Sequence, residues 1–143
     1  MSVTLPLTID TKYSGLPIHL SLEKRVNLLS VGSGGGKTFI LDILESWFKE
    51  NGFSVYKLNY HTADVCEDLT SILALCKASD VVLLDNLRLL PYRELIPALS
   101  KQSSLVIAAG NYVSGVRFED YICVTFTSRG IVATPIPDRM VYR

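Results

Sequence analysis

The residues best suited to chemistry crowd into one stretch, Asn27-Leu28-Leu29-Ser30-Val31-Gly32-Ser33-Gly34-Gly35-Gly36-Lys37-Thr38. Closely spaced glycines let several backbone N–H groups turn toward one anion; a lysine and then a threonine follow at once. That set suits a phosphate chain. Gly32, Ser33, Gly34, Gly35 and Gly36 would supply the cradle, Lys37 would reach the β- and γ-phosphates, and Thr38 would offer its hydroxyl to Mg²⁺. The apolar run ahead of the glycines reads as a strand. The amphipathic pattern behind them reads as a helix whose N-terminus adds partial positive charge.

The spacing is that of a P-loop with one departure. In the pattern G-x-x-x-x-G-K-[ST], counting back from Gly36-Lys37 puts Val31 where the first glycine belongs. Either Val31 accepts the turn there, or the loop is one residue shorter and starts at Gly32. A flexible Gly-Ser surface loop would account for the glycines, but not for Lys-Thr opening an amphipathic helix directly behind an apolar strand.

A metal-binding carboxylate is expected at Asp85. It closes the run Val81-Val82-Leu83-Leu84-Asp85, an apolar strand ending in an acid, which with an upstream P-loop matches the Walker B pattern. Asn86 follows, where many additional-strand P-loop ATPases carry a glutamate that polarises the attacking water. An amide can orient water but cannot take its proton. Slow intrinsic hydrolysis is therefore expected, unless Glu94 or a partner's side chain supplies the base.

With Leu105-Val106-Ile107-Ala108-Ala109-Gly110-Asn111 added, residues 26 to 111 resemble the AAA+ ATPases and helicase-loader-like relatives. Leu28 to Thr38 looks like Walker A, Val81 to Asp85 like Walker B, and 105 to 111 like the sensor-1 strand. The resemblance implies that the sensor strand lies between the P-loop strand and the Walker B strand. It further implies that Asn111 touches the γ-phosphate or the attacking water; a plain turn-forming asparagine is the alternative. The strands before the P-loop are also similar to those of ABC and SMC-type domains, although no L-S-G-G-Q signature occurs. No N-K-x-D guanine motif is present, so ATP is expected over GTP. Arg88, Arg93, Arg117, Arg129 and Arg139 include candidate arginine fingers, a role worth about 10³ to 10⁵ in rate where it operates.

The elements that must position these residues follow from periodicity. Val3-Leu5-Leu7-Ile9 and Leu16-Ile18-Leu20-Leu22 alternate around Tyr13-Ser14-Gly15, as in a hairpin, and lead into a strand over Val26 to Val31. From Lys37 to about Glu50, Phe39, Ile43 and Trp47 lie beside Ile40, Leu44 and Phe48 at helical spacing, and Asn51-Gly52 stops the helix. Phe53 to Leu58 reads as a strand. A helix with Val65, Leu69, Ile72, Leu73 and Cys76 on its buried row follows, capped by Thr62 or Asp64. His61 falls at the strand-to-helix turn between them. After the Asp85 strand, Pro91 is placed to open a short helix through Leu95, Ile96 and Leu99, and Ser104 to Ala109 is a buried strand. Tyr121 to Thr127 and Ile131 to Pro135 form a terminal hairpin.

Composition bounds the rest. The chain has 143 residues, 48% of them hydrophobic, with 14 basic and 14 acidic side chains, which fits one nucleotide-binding domain over residues 1–143 and gives no bulk charge to favour nucleic acid or membrane. Cys66, Cys76 and Cys123 show no paired spacing and read as thiols in a reducing compartment. No leader or apolar run of about 20 residues is present, so a soluble, cytoplasmic protein without membrane insertion is expected.

Strands alternating with helices imply an α/β fold, a three-layer sandwich around a mostly parallel sheet, with antiparallel strands at the N- and C-terminal ends. The expected function is a Mg²⁺-dependent ATP-binding protein with weak intrinsic ATPase activity. Its catalytic residues would be Lys37, Asn86 and Asn111, its metal ligands Thr38 and Asp85, and its nucleotide state would control docking to a protein or nucleic-acid partner. The chain leaves no room for a helical lid, which argues against a ring; a homo-oligomer of another kind stays open. A non-catalytic nucleotide-binding or scaffolding subunit and a small-molecule kinase are the alternatives. The kinase lacks support, because the stretch after Asp85 holds little of an acceptor pocket or an arginine-bearing lid.

Overall fold

The computed structural model describes residues 3–13, 15–31, 36–58, 68–85, 95–110, 118–127 and 129–135. Two alternating segments, β1 (Leu7–Tyr13) and β2 (Leu16–Leu22), pair antiparallel in a hairpin with Ile9 opposite Leu20. β3 (Val26–Val31) leads to α1 (Gly36–Glu50), and β4 (Val55–Leu58) to α2 (Leu69–Lys77). Then come β5 (Val81–Leu84), α3 (Leu95–Leu99), β6 (Leu105–Ala109), and the hairpin β7 (Asp120–Thr127) and β8 (Gly130–Pro135).

All eight strands form one sheet, in the order β1-β2-β8-β7-β3-β6-β5-β4. Burial divides it into two halves. Every residue of β5 and β6 is buried, as expected for strands covered on both faces. On one side of them α1 packs through Ile40, Leu41, Leu44 and Phe48; on the other lie Ile72 and Cys76 of α2 and Leu95, Ile96 and Leu99 of α3. β2 instead alternates strictly, with Ile18, Leu20 and Leu22 inward and Pro17, His19 and Ser21 exposed. Its inward residues join the α1 cluster, together with Ile9, Ile122, Val124 and Ile131.

The expected three-layer sandwich around a mostly parallel sheet is therefore corrected. The sheet is mixed and curls into a half-barrel. The terminal hairpins do not stand apart as trimmings: β2 pairs parallel with β8, Ile18 with Ile131 and His19 with Val132, and so stitches them into the main sheet. With helices few and strands many, that half can bury only its inner face, and it does so by wrapping α1. The parallel part of the sheet still brings two of the candidate stretches to one edge. β7, β3, β6, β5 and β4 run parallel to one another in that order, so the glycine loop and Asp85 both follow strands that end at the same edge. β6 lies between β3 and β5, the place implied for a sensor strand.

One element boundary differs from expectation, while β3 ends at Val31 as the sequence pattern implies. The helix over Leu69–Lys77 is capped by Asp68, whose carboxylate accepts from the Ser71 N–H at 2.8 Å; Thr62, Asp64 and Val65 lie outside the described residues. Val31, at the motif's missing glycine, remains a strand residue paired with Val124. The strand thus continues through that position, and Gly36 already belongs to α1.

Candidate functional site

Thr38 stands in the first turn of α1 and Asp85 directly follows β5. The sheet brings these residues together: the Thr38 hydroxyl donates to Asp85 Oδ2 at 2.9 Å. Three features hold the carboxylate in place. Its own backbone N–H donates to Leu58 O at 2.9 Å, tying the end of β5 to β4. Leu83 and Leu84 are buried on opposite faces of the strand ahead of it. The side chain itself is only 4% exposed.

Asp85 Oδ1, by contrast, is buried without a hydrogen-bond partner among the described residues. A buried carboxylate oxygen without a partner is costly, on the order of 1–3 kcal/mol, unless a further group completes it. A hard cation is such a group. Mg²⁺ takes one or two protein oxygens and fills its remaining positions with water and substrate phosphate, so one hydroxyl and one carboxylate suit it. Among the described residues no cluster of three or more His, Cys, Asp or Glu could hold a metal by itself.

One turn farther along α1 the same stripe carries Asp42 and Glu45, and both meet Lys57 of β4. Lys57 pairs with Asp42 and lies 3.7 Å from Glu45. Burial would lower the Lys57 amine, but the hydrogen bond to Asp42 and the charges of Asp42, Glu45 and Asp85 outweigh it, and its pKa is raised. The amine is therefore held charged in the field of the Asp85 carboxylate. Asp42 and Glu45 lie off the apolar rows of α1, Asp42 exposed and Glu45 half-buried. They follow Thr38 at i+4 and i+7, which continues the stripe that faces Asp85.

Gly32 to Gly35, Asn86 and Asn111 lie outside the described residues, as do His61, Glu94, Arg88, Arg93, Arg117 and Arg139. Lys37 belongs to α1, immediately ahead of Thr38. Arg129 is exposed in the β7–β8 turn. Cys76 is buried and Cys123 half-buried. No described helix is long and apolar enough to cross a membrane.

No protein-family model matches this chain, and no curated protein does. Among solved structures it is similar to the replication initiator DnaA bound to AMPPCP and single-stranded DNA, at a TM-score of 0.51 and 18% identity, over 65% of this chain and 35% of that one. The chain thus spans about a third of that protein's length. At this identity the likeness is one of fold: a P-loop-like arrangement of strands and helices.

Proposed function

We propose that this chain is a Mg²⁺-dependent ATP-binding domain with weak intrinsic ATPase activity, whose nucleotide state controls docking to a protein or nucleic-acid partner in the cytosol. The observation that carries the reading is the Thr38–Asp85 pair. The hydroxyl and the carboxylate expected to share a metal are hydrogen-bonded at 2.9 Å, with the second carboxylate oxygen buried and, among the described residues, unpartnered beside them. The glycine-rich stretch and Lys37 immediately precede that pair in sequence. The similar DnaA structure carries an ATP analogue and single-stranded DNA, which agrees with a nucleotide ligand and a nucleic-acid partner.

On this reading Lys37 neutralises the terminal phosphates, Thr38 and Asp85 hold Mg²⁺, and the metal, when bound, screens phosphate charge. Asn86 and Asn111 orient the attacking water. With no carboxylate at position 86, turnover is slow.

The test is thermal stabilisation by ATP with and without Mg²⁺. A ligand that binds only the folded state at about 100 times its dissociation constant adds about 2.7 kcal/mol. Wild type is expected to show this shift with Mg²⁺, to lose most of it in EDTA, and to lose all of it as Lys37→Ala. A Lys37→Ala protein stabilised as strongly as wild type removes the proposal. Phosphate release far below one turnover per second is expected alongside; complete absence of release with a full thermal shift would favour the non-catalytic subunit.

A further inference from the structure

Five large hydrophobic side chains are notably exposed among the described residues, and three of them, Tyr13 (49%), Leu16 (37%) and Phe126 (42%), gather at one rim of the half-barrel. Tyr13 and Leu16 face each other across the β1–β2 hairpin. The Phe39 ring sits between Tyr13 and Phe126, with centroids 5.1 Å and 6.0 Å away. These rings form a ladder across two hairpins, and its middle rung is the residue after Thr38. β7 runs parallel to β3 and the remaining pairings carry the direction outward, so the ladder lies on the sheet edge where the glycine loop opens.

The other side of the same rim has different chemistry. Strand alternation turns Lys12 away from Tyr13. With His19 and Arg129, Lys12 lines a cleft of about 430 Å³ floored by Pro17, Gly130 and Val132. Asp10 also lines this cleft and accepts from His19 at 2.5 Å, so beside the Asp10 carboxylate the cleft presents the two cations Lys12 and Arg129. On the helix side of the ladder, Asp42 and Glu50 line the neighbouring hollow, which Lys12 also borders, and their two carboxylates leave it net acidic.

We propose that this rim is a binding surface for a single-stranded nucleic acid, whose bases stack on Tyr13 and Phe126 while its phosphates pass Lys12 and Arg129. A single strand carries flat apolar bases along one side and negative charge along the other, and the rim presents rings on one side and cations on the other. Stacking on exposed aromatic rings beside a cationic groove is the general physics of strand binding without sequence preference. The proposal deepens the function above by giving the partner, and it rests on that reading only for the effect of nucleotide.

Anisotropy of a labelled oligothymidylate with the full chain, at low and moderate salt, tests it. Wild type is expected to bind the single strand in preference to a duplex. Tyr13→Ala and Phe126→Ala, checked for unchanged melting temperature, should each weaken binding about 5-fold to 150-fold, the equivalent of one lost base stack. Tyr13→Trp should retain binding and have its added indole fluorescence quenched by the strand, a readout that survives if the alanine variants fold poorly. Arg129→Ala should flatten the salt dependence. Lys37→Ala should bind the strand as wild type does while losing any response to ATP. Failure of the wild-type protein to bind ATP, with its strand binding intact, would overturn the nucleotide reading and leave this one standing. No strand binding at low salt, or wild-type affinity in both alanine variants, overturns the rim site. So does Tyr13→Ala losing affinity for ATP while holding the strand, which would assign the ladder to the base of the bound nucleotide.

Discussion

Asp85 is a carboxylate held where water hardly reaches, with one oxygen paired to Thr38 and the other without a hydrogen-bond partner among the described residues. Such a group lowers stability until a cation arrives. Asp85→Asn keeps the shape and still accepts from Thr38, yet removes the charge. In EDTA it should match wild type or gain about 1–3 kcal/mol, the usual cost of a buried unsatisfied polar group. With Mg²⁺ and ATP it should gain far less than wild type does. Paired melts, with and without metal, read both halves; a variant less stable than wild type in EDTA would show that the carboxylate is structural. The spacing of Thr38 and Asp85 was legible because each motif fixes its residue at the end of a local element. The Lys57 pairing was not, because nothing in a strand's alternation says which helix stripe will lie above it. Cys76 makes a simpler case: burial pushes its thiol up to about 12, so it should resist alkylation at neutral pH in the folded protein and react once denaturant opens α2.

At the scale of elements, helix and strand types were readable throughout the described residues because apolar period differs between them. The start of α2 was not. Thr62, Asp64 and Asp68 are all good caps by type, and the helix that buries Ile72 and Cys76 is capped by Asp68. The Asp68 carboxyl is held below its usual range by the Ser71 N–H and hydroxyl. Asp80 is held low likewise, chiefly by the Ser54 N–H, at the corner where β4 and β5 begin. A depressed carboxyl contributes stability above its unfolded value and loses it as pH falls through the folded one. Asp68→Ala should therefore lower the melting temperature by roughly a few degrees at neutral pH. The gap should close as pH falls through the lowered range of the folded carboxyl, where the wild-type group is itself protonated. A gap that persists in acid would mean the residue acts through packing rather than its charge.

The molecule as a whole depends on contacts that no local pattern encodes. Both hairpins were visible as hairpins, but their union through Ile18–Ile131 and His19–Val132 joins residues more than a hundred positions apart. That seam turns a sheet with two trailing hairpins into a half-barrel, and it brings the Tyr13 turn beside Phe126. Gly130 makes the approach possible. Its backbone has a φ of +141°, and a Cβ built there would lie 2.5 Å from the Pro17 carbonyl oxygen. Gly15 is the control, with a φ of +82° and nothing within 4 Å of such a Cβ. Gly15→Ala should cost about 1–2 kcal/mol, the conformational penalty alone. Gly130→Ala meets a comparable penalty and must also push β8 away from β2, since the obstructing atom is backbone and cannot rotate aside. It should therefore cost clearly more than its control in denaturant melts, with faster amide exchange in β1 and β2 and slower association with oligothymidylate. Thr38 and Asp85 lie across β7 and β3 from the seam, so Mg²⁺-ATP should still stabilise the variant by nearly the wild-type increment. Equal costs for the two alanines would show that the seam yields without strain, and that the half-barrel is held by the α1 core alone.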